Sequence, residues 1–321
     1  MFAVTAESID RDQPLNGLVL GDRPEPEVPE GWTTVQVRAT ALNHHDLWSL
    51  RGVGITEDRL PMVLGCDAAG VDEDGNEVIV HAVVSSDEWR GDETLDPARS
   101  LLSERHNGTF AERVVVPRRN LVPKPAELTM AEAACLPTAW LTAYRMLFHN
   151  SGLGPGATVL IQGASGGVAT ALVVLARAAG YRTWVTARSQ DKRDRALTIG
   201  AHRAFESGER LPEKVDAVME TVGAATWSHS MRALRPGGRI VISGATSGPN
   251  PPADLNRLFF LQLQVIGSTM GTRDELERLV QFCVATGVRP IIDVTMELAE
   301  ARQGFERMLG GEQFGKVVFT V

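Results

Sequence analysis

The stretch Thr158-Val159-Leu160-Ile161-Gln162-Gly163-Ala164-Ser165-Gly166-Gly167-Val168-Ala169 decides the fold. A short apolar run ends in a glycine-rich turn, and the turn opens directly onto the apolar segment from Val168 to Ala179. A strand without polar alternation is one buried on both faces, as in a parallel sheet covered by helices. The glycines allow a tight turn and a close backbone approach. The helix beyond them offers free N–H groups and a positive dipole end to an anion. An ordinary tight turn would carry the same glycines, but the strand-turn-helix frame, followed by a second strand from Arg182 to Ala187, favours a dinucleotide diphosphate. No Gly-Lys-Ser/Thr run is present, which excludes a P-loop.

Outward from this turn the chain keeps one rhythm. Helix is predicted from Thr129 to about Asn150 and over Val168–Ala179, Lys192–Ile199 and Thr226–Leu234, with strands at Ala217–Glu220, Arg239–Ser243 and Leu263–Gly267. Regular alternation of this kind predicts an α/β, doubly wound parallel sheet. Before it, short alternating runs such as Thr33–Ala39, Glu77–Val80 and Ala111–Val116 predict a β-rich domain. After it come a helix from Asp274 to Ala285, the segment Arg289–Thr295, a helix from Leu298 to Leu309 and a final strand Lys316–Val321, expected to return to that first domain.

The end of the second parallel strand selects the coenzyme. An NAD-binding chain places an acid there for the ribose 2′-hydroxyl. Here the sequence is Thr186-Ala187-Arg188-Ser189-Gln190-Asp191-Lys192. Arg188 and Lys192 can neutralise a 2′-phosphate and Ser189 can donate to it, so NADPH is expected. The competing reading is two solvated cations at a helix start, where they oppose the helix dipole.

The 321 residues carry 32 Lys plus Arg against 40 Asp plus Glu, a net charge of −8, which gives no footprint for nucleic acid. The length favours two domains. Three scattered cysteines, Cys66, Cys135 and Cys283, form no disulfide framework and no Cys-x-x-Cys pair, so a reducing cytoplasmic setting is expected. Residues 1–20 lack the pattern of a signal peptide, and no uncharged apolar run of about 18 residues exists to span a bilayer.

Over nearly its whole length the chain resembles the medium-chain dehydrogenase/reductase superfamily, in particular its zinc-free quinone oxidoreductase-like branch. The resemblance is carried by Ala39–Asp46 (ATALNHHD), Pro61–Gly70 (PMVLGCDAAG), Gly108–Val116, Leu136–Leu147 (LPTAWLTAYRML), the glycine turn, Pro236–Gly244 and Gly315–Val318 (GKVV). It implies a GroES-like β-rich catalytic domain built from residues 1–123 and 268–321, a Rossmann domain over 124–267, an active site in the cleft, and homodimers joined through the Rossmann sheet. It also implies that Asn43, His45 and Asp46 face the reacting ring, with Asn43 donating its amide to a substrate oxygen and His45 supplying a proton.

The same resemblance implies coenzyme contacts from His44, Thr142, Gly163, Ser165, Gly166, Gly167, Val168, Arg188, Ser189, Lys192, Val222, Gly244, Ala245, Ser268, Met270 and Lys316. For the two histidines the alternative is that they simply flank a helix start; for Asn43, that it is a cap; for Lys316, an edge-strand lysine that discourages aggregation.

The zinc ligands of the superfamily's alcohol dehydrogenases fall on Asn43, on Cys66-Asp67 and near Thr138 and Ala139, and the structural-zinc lobe falls on Val84–Gly108, which has no cysteine. No metal is therefore expected, although Cys66, Asp67 and His45 offer three donors in principle. A conjugated acceptor delocalises charge to an oxygen that hydrogen bonds can stabilise, whereas a plain ketone leans on a Lewis acid. The expected activity is hydride transfer from NADPH to a quinone, enone or similar small hydrophobic acceptor. The alternatives are a zinc-free alcohol dehydrogenase or ketone reductase, and a non-catalytic NADPH-binding regulatory protein.

Overall fold

The computed structural model describes residues 1–321, which divide into two compact units, Met1–Leu141 with Met270–Val321, and Thr142–Thr269. In the second unit six parallel strands lie in the spatial order Arg203–Glu206, Arg182–Ala187, Thr158–Gln162, Val215–Glu220, Leu234–Ile242 and Gln264–Gly267. Numbered along the chain this is 3-2-1-4-5-6, the doubly wound order, with its reversal beside the first strand. All five residues of Thr158–Gln162 are buried, as a strand with helices on both faces requires. The helix Gly167–Ala178 follows the glycine turn, and the helix Ala224–Ala233 follows Val215–Glu220.

The first unit is built on a sheet in which Trp32–Ala41 pairs with Asp67–Asp72, with Arg113–Pro117 and with the C-terminal strand Lys316–Thr320. The last strand therefore returns to the first domain, in register Val318 to Ala41. One core binds the two chain ends. Phe110 meets Phe305 and Phe319 edge-on at centroid distances of 6.1 and 5.5 Å, all three rings fully buried. Such pairs add roughly 0.5–1.5 kcal/mol each beyond the area they bury.

The helical stretch expected over 129–150 is broken into unlike turns. Met130–Ala134 is α-helical, and π turns follow at Leu136–Trp140 and Arg145–Asn150. Pro137 lacks the N–H that an unbroken α-helix would use here. Met130–Ala134 packs on Trp32–Ala41 and Asp67–Asp72 of the first unit. No helix is long and apolar enough to cross a membrane.

Candidate active site

The segment Asn43–Asp46 leaves the strand Trp32–Ala41 and starts the helix His44–Leu50. Asn43 is extended at the cap position, and Asp46 reaches back with Oδ2 to accept its backbone N–H at 2.8 Å. Asp46 Oδ1 accepts the Gly65 N–H at 3.1 Å. With no exposure at all, Asp46 cannot touch a substrate, so its predicted catalytic role is corrected to a positioning one. Burial, reinforced by the charge of Asp67 and opposed by the Asn43 and Gly65 N–H groups and Lys316, raises its carboxyl to about 7.

Lys316 also departs from its expected place. It lies on a strand with neighbours on both sides, so it guards no edge, and it is 2% exposed. Its ammonium donates to Leu42 O at 2.9 Å, Asn43 Oδ1 at 2.6 Å and Asp67 Oδ2 at 2.9 Å. Three donors meet three acceptors, which leaves none for a phosphate. Asn43 is equally committed: its Nδ2 donates to Ala41 O at 3.2 Å and to Asp67 Oδ2 at 2.9 Å, so the amide predicted to reach a substrate is already engaged. The backbone oxygen of Asp67 accepts from Thr40 and from Thr109, the latter at 2.8 Å.

His45 is the predicted residue with free capacity. Its side chain is 18% exposed, and Nε2 has no hydrogen-bond partner; the nearest carboxylate oxygen, Glu104 Oε1, stands 3.9 Å away. Burial lowers its pKa to about 4, so at neutral pH it is a neutral hydrogen-bond donor and not the near-neutral acid the sequence suggested. His44 is exposed on the first turn of the same helix.

These residues do not fit a zinc ion. Cys66 is fully buried and donates its thiol to Leu102 O at 3.2 Å, with Ser103 Oγ at 3.5 Å; burial and the Asp46 charge push its pKa well above the ordinary range, away from the thiolate a metal needs. Asp67 Oδ2 is spent on Lys316 and Asn43. No three His, Cys, Asp or Glu side chains converge on one point. A fixed ammonium occupies the charge centre of this cluster.

In the second unit the glycine turn fits an anion. Gly163 has φ +79°, which favours glycine, and Gly166 caps the helix Gly167–Ala178 with no side chain on the first N–H groups. A Cβ at Gly166 would meet nothing within 4 Å, so its glycine is not required by packing and leaves the helix start open. Ser165, Gly166, Gly167 and Val168 are partly exposed there. Arg188 and Ser189 are exposed beyond Arg182–Ala187; Ser189 caps the helix Gln190–Thr198 by accepting the Lys192 N–H at 3.3 Å, which leaves its O–H to donate. Sequence reading missed Arg193, whose guanidinium donates to Ala187 O at 2.8 Å and Gln190 Oε1 at 2.8 Å and stiffens this corner.

The remaining candidates divide. Val222, Gly244 and Ala245 lie beyond the carboxyl ends of Val215–Glu220 and Leu234–Ile242, where ligands of such sheets bind. Val222 N–H and C=O are both used within the protein, by Glu220 and Ser247, so only its side chain can contact a coenzyme. Ser268 accepts from Asn150 Nδ2 at 2.8 Å, and Thr142 is buried in the same unit. Met270 belongs to the first unit, its side chain packed with Cys66, Ala82 and Val83, so only its backbone is open to the role expected of it.

Comparison with known proteins agrees with this geometry. Residues 29–126 match the family model of the alcohol dehydrogenase GroES-like domain, and residues 167–285 match that of the zinc-binding dehydrogenases. Among relatives, an acryloyl-coenzyme A reductase of Metallosphaera sedula is 28% identical over 92% of this chain and 94% of its own. A quinone oxidoreductase of Mus musculus is 27% identical over 89% of this chain and 88% of its own. The crystal structure of an NAD-dependent alcohol dehydrogenase superposes with a TM-score of 0.92 at 32% identity, each chain covered in full. With a doubly wound nucleotide-binding unit, a GroES-like unit made from both chain ends, and these full-length matches, the chain belongs to the medium-chain dehydrogenase/reductase superfamily of nicotinamide-dependent oxidoreductases.

Proposed function

We propose that the protein is an NADPH-dependent, zinc-independent reductase of activated double bonds, acting on an enone, a quinone or a similar conjugated carbonyl. The observation that carries this reading is the Lys316–Asp67–Asn43 cluster, which places a buried ammonium among the residues aligned with the family's zinc ligands. Without a Lewis acid the acceptor must delocalise its own developing charge, and a conjugated carbonyl does so. The names of two relatives, an acryloyl-coenzyme A reductase and a quinone oxidoreductase, support an acceptor of this class.

Bound NADPH would supply the hydride. The helix N-terminus behind Gly166 and Gly167 would hold its diphosphate, and Arg188 with Ser189 its 2′-phosphate. Neutral His45 would donate a hydrogen bond to the acceptor oxygen, and solvent would deliver the proton. Lys316 and Asp46 keep the Asn43–His45 segment in one conformation without touching the acceptor.

The solved relative named as an NAD-dependent alcohol dehydrogenase favours a second reading, alcohol or ketone chemistry on the same scaffold. An anaerobic scan of NADPH oxidation with an enone, a quinone and a simple aldehyde separates the two. Turnover of the aldehyde alone would rule out the first reading. A homodimer through the Rossmann sheet belongs to the same proposal. The edge strand Gln264–Gly267 pairs with Leu234–Ile242 on one side and has no partner on the other, and Leu255, Phe259 and Phe260 in the preceding helix are 67%, 69% and 80% exposed. Sedimentation should give a dimer that Phe259→Asp with Phe260→Asp converts to monomer; a parent chain that sediments as monomer contradicts it.

A further inference from the structure

Beneath the carboxyl edge of the parallel sheet lies a buried chain of hydrogen bonds that the proposed chemistry does not use. Glu220, at the end of Val215–Glu220, is completely buried and has no ion-pair partner. Its Oε1 accepts from Val222 N at 2.8 Å, Gly223 N at 3.1 Å and Thr226 Oγ1 at 2.9 Å, and its Oε2 accepts from Ser230 Oγ at 2.6 Å. Ser230 in turn accepts from Gln162 Nε2 at 2.9 Å. Gln162 Oε1 accepts from Thr186 Oγ1 at 2.6 Å, and Thr186 Oγ1 accepts the N–H of Gly163, the first glycine of the turn, at 3.4 Å.

The direction of these bonds is uniform. Every donor from Gly163 through Thr186, Gln162 and Ser230 points towards the Glu220 carboxylate, so one buried carboxylate orients hydroxyls and an amide from two neighbouring strands and a helix. Gln162, Thr186, Glu220 and Ser230 have no exposed surface, and His229 Nδ1, at 2.9 Å from Gln162 Nε2, closes the side of the chain. A buried carboxylate without a cation is costly unless its oxygens are fully satisfied. Here it is satisfied directly by the turn at residues 222–223 and by Thr226 and Ser230, and it is linked through Ser230, Gln162 and Thr186 to Gly163; the two turns flank the reversal point of the sheet.

We propose that Glu220 is a positioning residue for the coenzyme: through Ser230, Gln162 and Thr186 it fixes the glycine turn and, directly, the turn after Val215–Glu220, in the conformation that receives the diphosphate and its adjoining ribose. The inference rests on the reading that the glycine turn binds NADPH. It does not involve the corner at Arg188 and Ser189, which the chain of bonds leaves to Arg193.

The test uses the full chain and two probes, NADPH and adenosine 2′-monophosphate, the second of which occupies only the 2′-phosphate corner. Ser230→Ala breaks the middle of the chain without removing the carboxylate, and Thr186→Val breaks its far end. Each should weaken NADPH binding about tenfold by fluorescence titration while leaving adenosine 2′-monophosphate affinity within twofold. The double variant should bind NADPH no more weakly than about the worse single variant, because both cut one chain, and Ser230→Thr should retain parental affinity. Equal loss for both probes, or additive losses in the double variant, would reduce the network to ordinary fold support and overturn the inference. Unchanged NADPH affinity in both single variants would overturn it as well. A parent chain that binds no NADPH overturns the coenzyme reading together with the inference; a parent that binds and variants that bind alike overturn the inference alone.

Discussion

Replacing Lys316 with Met keeps an unbranched side chain, one heavy atom shorter, and removes the ammonium with its charge. The ammonium is 2% exposed and donates to Leu42 O, Asn43 Oδ1 and Asp67 Oδ2, so its loss takes a donor from all three acceptors. Asp67, with no exposed surface and one oxygen already without a partner, would be left as an uncompensated buried carboxylate. Removing one member of such a pair costs roughly 3–5 kcal/mol. For a unit of this size that corresponds to a fall in melting temperature of about 10 °C. Removing both charges should cost much less, so Lys316→Met with Asp67→Asn is expected to recover most of the loss, to within about 1–2 kcal/mol of the parent. The assay is chemical denaturation of the four proteins of the cycle at neutral pH. A Lys316→Met variant within about 1 kcal/mol of the parent, or a double variant less stable than Lys316→Met, would refute the reasoning.

Two further outcomes follow. His81 is 1% exposed with neither ring nitrogen partnered, and burial, with Arg273 adding to it, lowers its pKa to about 3. Its folded pKa lies below its unfolded value, so its contribution is present above about pH 6.5 and is lost as the pH falls towards 3, by about 1.4 kcal/mol per pH unit. His45 acts in the same direction and Asp46, raised to about 7, in the opposite one, so the difference between parent and His81→Leu between pH 6 and 4 isolates the effect. A pH-independent difference would contradict it. Arg188→Ala should lower the preference for NADPH over NADH about tenfold, the worth of one charge-assisted contact of roughly 1.4 kcal/mol; an unchanged ratio of binding constants would show that the 2′-phosphate lies elsewhere.

Much of the nucleotide-binding unit was legible because its signals are local. Thr158–Gln162 and Arg182–Ala187 are read to the residue from continuous apolar runs. The strand Arg203–Glu206 escaped notice because it is a four-residue edge strand, partly exposed, with charges at both ends. The strand Leu234–Ile242 runs through Pro236-Gly237-Gly238, which reads as a turn, because a register shift in its pairing with Val215–Glu220 absorbs the irregular residues.

The catalytic unit was legible in outline and not in its contacts. Lys316 and Asp67 are 249 residues apart, and nothing local to Gly-Lys-Val-Val distinguishes a phosphate ligand from a buried counter-ion. The commitment of Asn43 and Asp46 to backbone and ammonium likewise depends on where the last strand docks. Likewise, Glu220 and Gln162 read as ordinary polar ends of strands, and only the fold joins them through Ser230.

The proposed function turns on hydride transfer to a conjugated carbonyl without a Lewis acid. Its most direct test is turnover of chelator-dialysed protein, under anaerobic conditions, with a cyclic enone and NADPH deuterated at the transferring position. Undiminished turnover is expected, with deuterium at the β-carbon of the saturated ketone. Turnover that vanishes on dialysis and returns with added zinc, or deuterium at the carbonyl carbon of an allylic alcohol, would contradict it.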